Sequence, residues 1–223
     1  MKDQKRKNGL LAGCLLMAFA VWTVLVRLED VAAIGPQGSA VGFAAINGWF
    51  HRFTGVHMAL YHLTDWLGLV PVGVGLGFAI FGLAQWIRRR DIRKVDGSLL
   101  VLGGFYVLVA GAYLLFEEVI INYRPVLIEG ILEASYPSST TLLVLCVMPT
   151  ARLQLRCRIG DPKIRRGLCG LLMIFEVFMV VGRLVSGVHW LTDILGGVLL
   201  SGGLVHLYMS LTEGKEHHHD RKI

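Results

Sequence analysis

The sequence predicts an all-α integral membrane bundle of about six transmembrane helices, with both termini in the cytoplasm. Three observations carry this. Of the 223 residues, 54% are hydrophobic and the mean hydropathy is +0.60, more than a water-soluble domain of this length usually carries. The apolar residues fall in long runs, several close to the roughly 20 residues a helix needs to cross a bilayer. The basic residues gather in every second connection between those runs, which the positive-inside rule places in the cytoplasm.

Taken in order, the first run covers residues 10–26 and follows Lys2, Lys5, Arg6 and Lys7. It is long and lacks a convincing cleavage site, so it reads as an uncleaved signal anchor. The second run, 66–87, precedes Arg88, Arg89, Arg90, Arg93 and Lys94, and the third covers 99–116. The fourth, 138–149, is short; if it turns back, the chain has five spans and one re-entrant segment. Arg152, Arg156, Arg158, Lys163, Arg165 and Arg166 follow it. The fifth run is 167–181 and the sixth 189–211, with Lys215, Arg221 and Lys222 beyond. Only Arg27, Arg52, Arg124 and Arg183 fall on the other side.

The net charge of +6 is therefore a topology signal, and no nucleic-acid partner is expected. The chain reads as one multi-pass domain, 1–223, of the cell membrane. Its four cysteines, Cys14, Cys146, Cys157 and Cys169, fall in spans or on the cytoplasmic side, so no extracytoplasmic disulfide is expected. His217, His218 and His219 read as part of a solvated terminus. Segment 28–65 is outside, rich in glycine and aromatics, and expected to lie at the interface or fold back over the bundle. It carries His51, His57 and His62. Gly73, Gly75 and Gly77 lie in an apolar run and predict close helix packing in place of a nucleotide loop. Glu176 and His206 sit at membrane depth, where an ionisable group must face protein or water. For Glu176 the plain expectation is a carboxyl that locks helices together.

The stretch "GRLVSGVHWLTDILGG", 182–197, places an arginine, a histidine and an aspartate at the outer end of the last two spans. His189 and Asp193 are four apart and share a face on a helix. The aspartate is expected to accept from one ring nitrogen and leave the other free to attack. Arg183, expected across the loop-to-helix junction, has a donor fork suited to phosphate oxygens. A second group lies in "FEEVIINYRPVLIEGILEASYPSSTT", 116–141. Arg124 precedes Pro125, and Pro137, Ser138, Ser139 and Thr140 open the fourth run as a helix N-terminus, which is a ready anion site. A plain cap is the alternative reading.

The order R-P, P-S, then R-x5-H-x3-D resembles the type 2 phosphatidic acid phosphatase superfamily, which includes vanadium haloperoxidases. That signature is K-x6-R-P, P-S-G-H and S-R-x5-H-x3-D. The resemblance spans about residues 117–211. It implies a metal-independent hydrolase acting at the extracytoplasmic face, with His189 forming a phosphohistidine and Asp193 orienting it. Arg124, Arg183, Ser138, Ser139 and Thr140 would hold the phosphate, and no cofactor is implied. The substrate would be a phospholipid or polyprenyl phosphate or diphosphate.

Four positions depart from the pattern. Glu117 stands for the lysine, Ser139 for the glycine, Gly182 for the serine and Thr140 for the second histidine. That histidine is the acid that protonates the leaving alcohol, and losing such an acid costs about 10²–10⁴-fold. Its absence also removes the residue that would ligate vanadate, so haloperoxidase activity is not expected. Three accounts remain open. Glu117, Glu118 or one of the outer histidines supplies the proton; the substrate is a diphosphate, whose leaving phosphate needs little protonation; or the chain binds lipid phosphates without hydrolysing them. The acidic residues Glu117, Glu118, Glu129 and Glu133 suit a headgroup carrying a cation.

Overall fold

Residues 2–212 are described in the computed structural model, so the histidine run 217–219 and the basic residues Lys215, Arg221 and Lys222 lie outside the described residues. Eight α-helices form among them: α1 (Lys2–Leu28), α2 (Ala44–Thr54), α3 (Met58–Leu67), α4 (Leu69–Arg89), α5 (Gly97–Glu118), α6 (Ser139–Arg158), α7 (Pro162–Val185) and α8 (Leu191–Thr212). Five segments are long and apolar enough to cross a membrane: α1, the run of α3 and α4 together, α5, α7 and α8. Their outward faces carry exposed large apolar side chains such as Leu76, Ile80, Val107, Leu114 and Ile174, as lipid solvent requires.

The fourth expected span needs correction. It does not stop at Pro149; α6 runs through that proline to Arg158. A proline inside a helix removes one backbone donor, here the one that would reach the Leu145 carbonyl. The Thr150 hydroxyl beside it turns back along the helix and donates to the carbonyls of Cys146 at 2.8 Å and Val147 at 3.0 Å, so this buried hydroxyl is satisfied within α6. Being largely buried between α7 and α8, α6 needs no continuous apolar surface, which is why its sequence reads short.

α8 is the inner helix, packed along α1 and against α5 and α6. Its contact with the loop before α6 depends on a missing side chain: a Cβ at Gly196 would overlap the Tyr136 ring. Asp161 caps α7 by accepting from the backbone of Lys163 and Ile164, and Pro162 takes the first helical position, where its missing N–H costs nothing. Glu176 on α7 meets Arg152 on α6 at 2.8 Å, a helix-locking pair of the kind expected. His206 faces Asn8 of α1 at 3.4 Å.

The glycines of α4 do not pack as expected. Only Gly75 approaches a neighbour, the Tyr106 ring; Gly73 and Gly77 meet nothing. The reason is that α4 stands away from α5 across a cavity of about 1470 Å³. Segment 28–65 does fold back, with α2 against α8 and α3 against α7. The ends of α4 and α6 and the starts of α5 and α7 carry the basic connections. Arg124, Thr140, Arg183 and His189 all lie at the opposite end of those helices.

Candidate active site

Four segments meet at that end: α3, the loop between α5 and α6, the last turn of α7, and the turn leading into α8. Arg183 belongs to the last turn of α7, not to a loop junction. It is 1% exposed, and a buried guanidinium must be paired. Its Nη2 donates to Asp65 Oδ1 at 3.3 Å and its Nη1 to Thr64 Oγ1 at 3.5 Å. The Tyr61 ring lies 4.9 Å from its Cζ and 5.9 Å from that of Arg124, at cation–π range. Arg124 pairs with Glu133 at 3.1 Å. Arg124 Nη1 and Arg183 Nε remain buried without a hydrogen-bond partner.

His189 precedes α8, and Asp193 sits in that helix's first turn, so the two are not stacked on one helical face. Their closest approach, Nδ1 to Oδ2, is 3.7 Å. The expected hydrogen bond goes elsewhere. His189 Nδ1 lies 3.1 Å from the Ser135 carbonyl oxygen, and since a carbonyl only accepts, the proton is on Nδ1. Nε2 therefore holds the free lone pair; it is buried and has no partner. Asp193 instead accepts from the Trp190 backbone at 2.9 Å and from Asn122 Nδ2 at 3.5 Å. Its carboxylate stays close enough to Nδ1 to oppose a positive charge arising on the ring.

The His189 turn is held from all sides. Gly187 there has φ +71°, the left-handed region that glycine enters without strain. His57 N donates to Ser186 O at 2.9 Å, Trp190 Nε1 to Tyr123 O at 2.7 Å and Trp22 Nε1 to Thr192 O at 3.2 Å. Asn47 of α2 donates to the Thr192 hydroxyl at 3.0 Å. Burial, and then the nearby charges of Arg124 and Arg183, push His189 well below the ordinary histidine value. The ring should therefore stay neutral, with its proton on Nδ1, at pH values where an ordinary histidine is already protonated. Nitrogen-15 chemical shifts of the substrate-free protein would read this directly. A ring titrating near its ordinary value of about 6.5 would contradict the arrangement.

The remaining expected site residues divide. Ser138 caps α6, its Oγ accepting from Thr141 N, so its side chain serves the helix. Ser139 and Thr140 line the large cavity together with Arg124 and Arg183. Glu117 lines that cavity and also a small one that His189 borders. Glu118 lines neither, and neither do His51, His57 or His62. His51 lies against the Trp190 ring at 5.4 Å, and burial lowers it from the ordinary histidine value. Tyr61, Thr64, Asp65, Asn122 and Ser135 were not foreseen from sequence. Asp65 and Asn122 carried a signal, a polar side chain in apolar surroundings, but no spacing tied them to Arg183 or Asp193. Among the described residues, no group of three or more His, Cys, Asp or Glu is placed to hold a metal ion.

The cavity runs from this polar end along α4 and α5. From Leu69 to Trp86 its wall is about 26 Å long at 1.5 Å per residue, most of a hydrocarbon core of about 30 Å. Its wall is mainly apolar side chains such as Leu76, Leu83, Leu102 and Val107, so it suits a lipid tail with its head at the arginines.

Comparison with known proteins agrees with this layout. A crystal structure of the first transmembrane PAP2-type phosphatidylglycerolphosphate phosphatase from Bacillus subtilis shares the fold with a TM-score of 0.52 and 21% sequence identity, over 91% of this chain and 96% of that one. None of the curated proteins matches the chain. The family model described as PAP2 superfamily matches residues 113–216. That stretch holds Glu117, Arg124, Thr140, Arg183, His189 and Asp193, so the part of the chain that is similar to the PAP2 superfamily contains the residues gathered at this end of the bundle.

Proposed function

We propose that the protein cleaves a lipid phosphate or diphosphate through a phosphohistidine at His189, without a metal cofactor. One observation carries the reading: His189 Nε2 is buried, unprotonated and without a protein partner, beside two guanidinium groups that still have free N–H donors. Nε2 attacks phosphorus, a bond from nitrogen to phosphorus forms, and the bond to the leaving oxygen breaks. Arg124 and Arg183 stabilise the charge on the phosphoryl oxygens as the transition state develops. Asp193 balances the positive charge gained by the ring. Water then releases phosphate from the histidine. Thr140 gives the leaving oxygen no acid, which favours leaving groups that depart as phosphate, with a second pKa of about 6.

The extracytoplasmic face is supported by the charge pattern. The site lies at the helix ends remote from the basic connections, which the positive-inside rule puts in the cytoplasm. The test is phosphate release by purified protein in detergent with a chelator present. Phosphatidic acid, phosphatidylglycerol phosphate and a polyprenyl diphosphate form the panel. Release from at least one of them is expected. No release, with lipid binding that still depends on Arg124 and Arg183, would establish a lipid-phosphate binder in place of an enzyme.

A further inference from the structure

The helix α2 presents two unlike faces. Ile46, Trp49, Phe50 and Phe53 recur at intervals of three and four and share one side. Ile46, Trp49 and Phe53 are 47%, 57% and 76% exposed, and the Trp49 and Phe53 rings stack with centroids 5.8 Å apart. A helix lying on a protein under water turns polar side chains outward. α2 turns aromatic rings outward, while Ala44, Asn47 and Gly48 on its opposite side are buried.

Its depth follows from its partner. α8 has 22 residues, about 33 Å of helix against a hydrocarbon core of about 30 Å, so its first turn lies at the membrane–water interface. Asn47, 0% exposed, is bonded to that turn. Its Nδ2 donates to Thr192 Oγ1 at 3.0 Å, and its Oδ1 accepts from Thr192 N at 3.3 Å. The outward stripe therefore sits at interfacial depth, among exposed apolar side chains of the adjoining helices, Leu28 on α1 and Leu63 and Trp66 on α3. Tryptophan favours that zone, and the exposed Arg52 on the same helix offers a cation to lipid phosphates. We propose that α2 is an in-plane membrane anchor, its partner the lipid surface, and that it braces the His189 turn against the bilayer. Three contacts form the brace: Asn47 with Thr192, the His51 ring against that of Trp190 at 5.4 Å, and the Gly55 carbonyl, just past the helix, packed on Gly187.

The experiment uses the full chain in phosphatidylcholine vesicles whose acyl chains carry bromine either near the glycerol or near the bilayer centre. Subtracting the emission of Trp49→Phe from that of the unaltered protein isolates Trp49. Shallow bromine should quench it more than deep bromine. The second reading is hydrogen exchange of the amides of 187–192 in the same vesicles. Exchange there should rise about 10-fold or more when Trp49→Asp and Phe53→Asp are combined, because two apolar anchors are lost. Amides within α7 should not change; if they do, the milder Phe53→Ser takes the place of the charged pair. Asn47→Ala should speed the same turn while Trp49 stays quenched, since it cuts the brace and leaves the anchor. An unquenched Trp49 would overturn the proposal; if the chain then runs as a dimer that Phe53→Asp separates, the face is a contact between two copies. A quenched Trp49 with unchanged exchange at the turn in these variants would overturn the brace. The proposed phosphatase enters only in a kinetic arm, where loss of the anchor lowers phosphate release from vesicles. If the unaltered protein releases none, the phosphatase reading fails on its own, and quenching and exchange still decide the anchor.

Discussion

His189→Ala should lower phosphate release by at least about 10⁴-fold, the scale on which removal of an enzyme nucleophile is felt. The expectation comes from the division of labour in the site. On the proposed reading the arginines hold the phosphate, and the His189 Nε2 beside them offers a buried lone pair without a protein partner. Lipid binding should persist, because Arg124 and Arg183 are held by Glu133 and Asp65 and not by the imidazole. Brief mixing with radiolabelled substrate followed by alkaline denaturation would trap an acid-labile phosphoprotein in the unaltered protein and none in the variant. Label retained in His189→Ala would place the nucleophile elsewhere.

Gly187→Ala should be the most damaging small substitution outside the chemistry. The residue has φ +71°, and a methyl group there would overlap the Gly55 carbonyl oxygen. A strained backbone of this kind costs about 1–3 kcal/mol before any clash, and a backbone carbonyl cannot move aside as a side-chain tip can. A loss of at least about 3 kcal/mol in stability is expected, read as a fall in melting temperature, together with loss of activity from a displaced His189. Gly111→Ala offers the opposite sign. It lies within α5 with open space around it, and alanine favours a helix interior by up to about 1 kcal/mol. Equal melting temperatures for the two variants would show that the turn before α8 yields.

Much of this was readable in the sequence because membrane solvent writes simple rules. Long apolar runs gave five of the spans. The order R-P, P-S, R-x5-H-x3-D singled out Arg124, Arg183, His189 and Asp193, and the structure brings the four together at one end of the bundle. What holds them was not legible. Asp65 and Tyr61 reach Arg183 from more than a hundred residues away in sequence, through helix packing that no local pattern encodes. The partner of His189 Nδ1 is a backbone carbonyl, that of Ser135, and any residue type presents a carbonyl. A rule of four along a helix pointed to Asp193 because it assumed that His189 was helical. Ser138 was hidden differently: a hydroxyl at a helix start fits a cap and an anion site equally well in sequence, and the structure shows its oxygen accepting from Thr141 as a cap.

The cavity between α4 and α5 has a side open to the bilayer, for Leu76, Leu83 and Val107 line it and are also exposed. A substrate arriving through that side never passes through bulk water. The relevant concentration is then a two-dimensional one, the fraction of neighbouring lipids that carry the right headgroup. Diluting the substrate with inert lipid or detergent at constant molarity would thin the supply, and adding buffer would not. The half-saturation point of such a protein is a property of the membrane's composition.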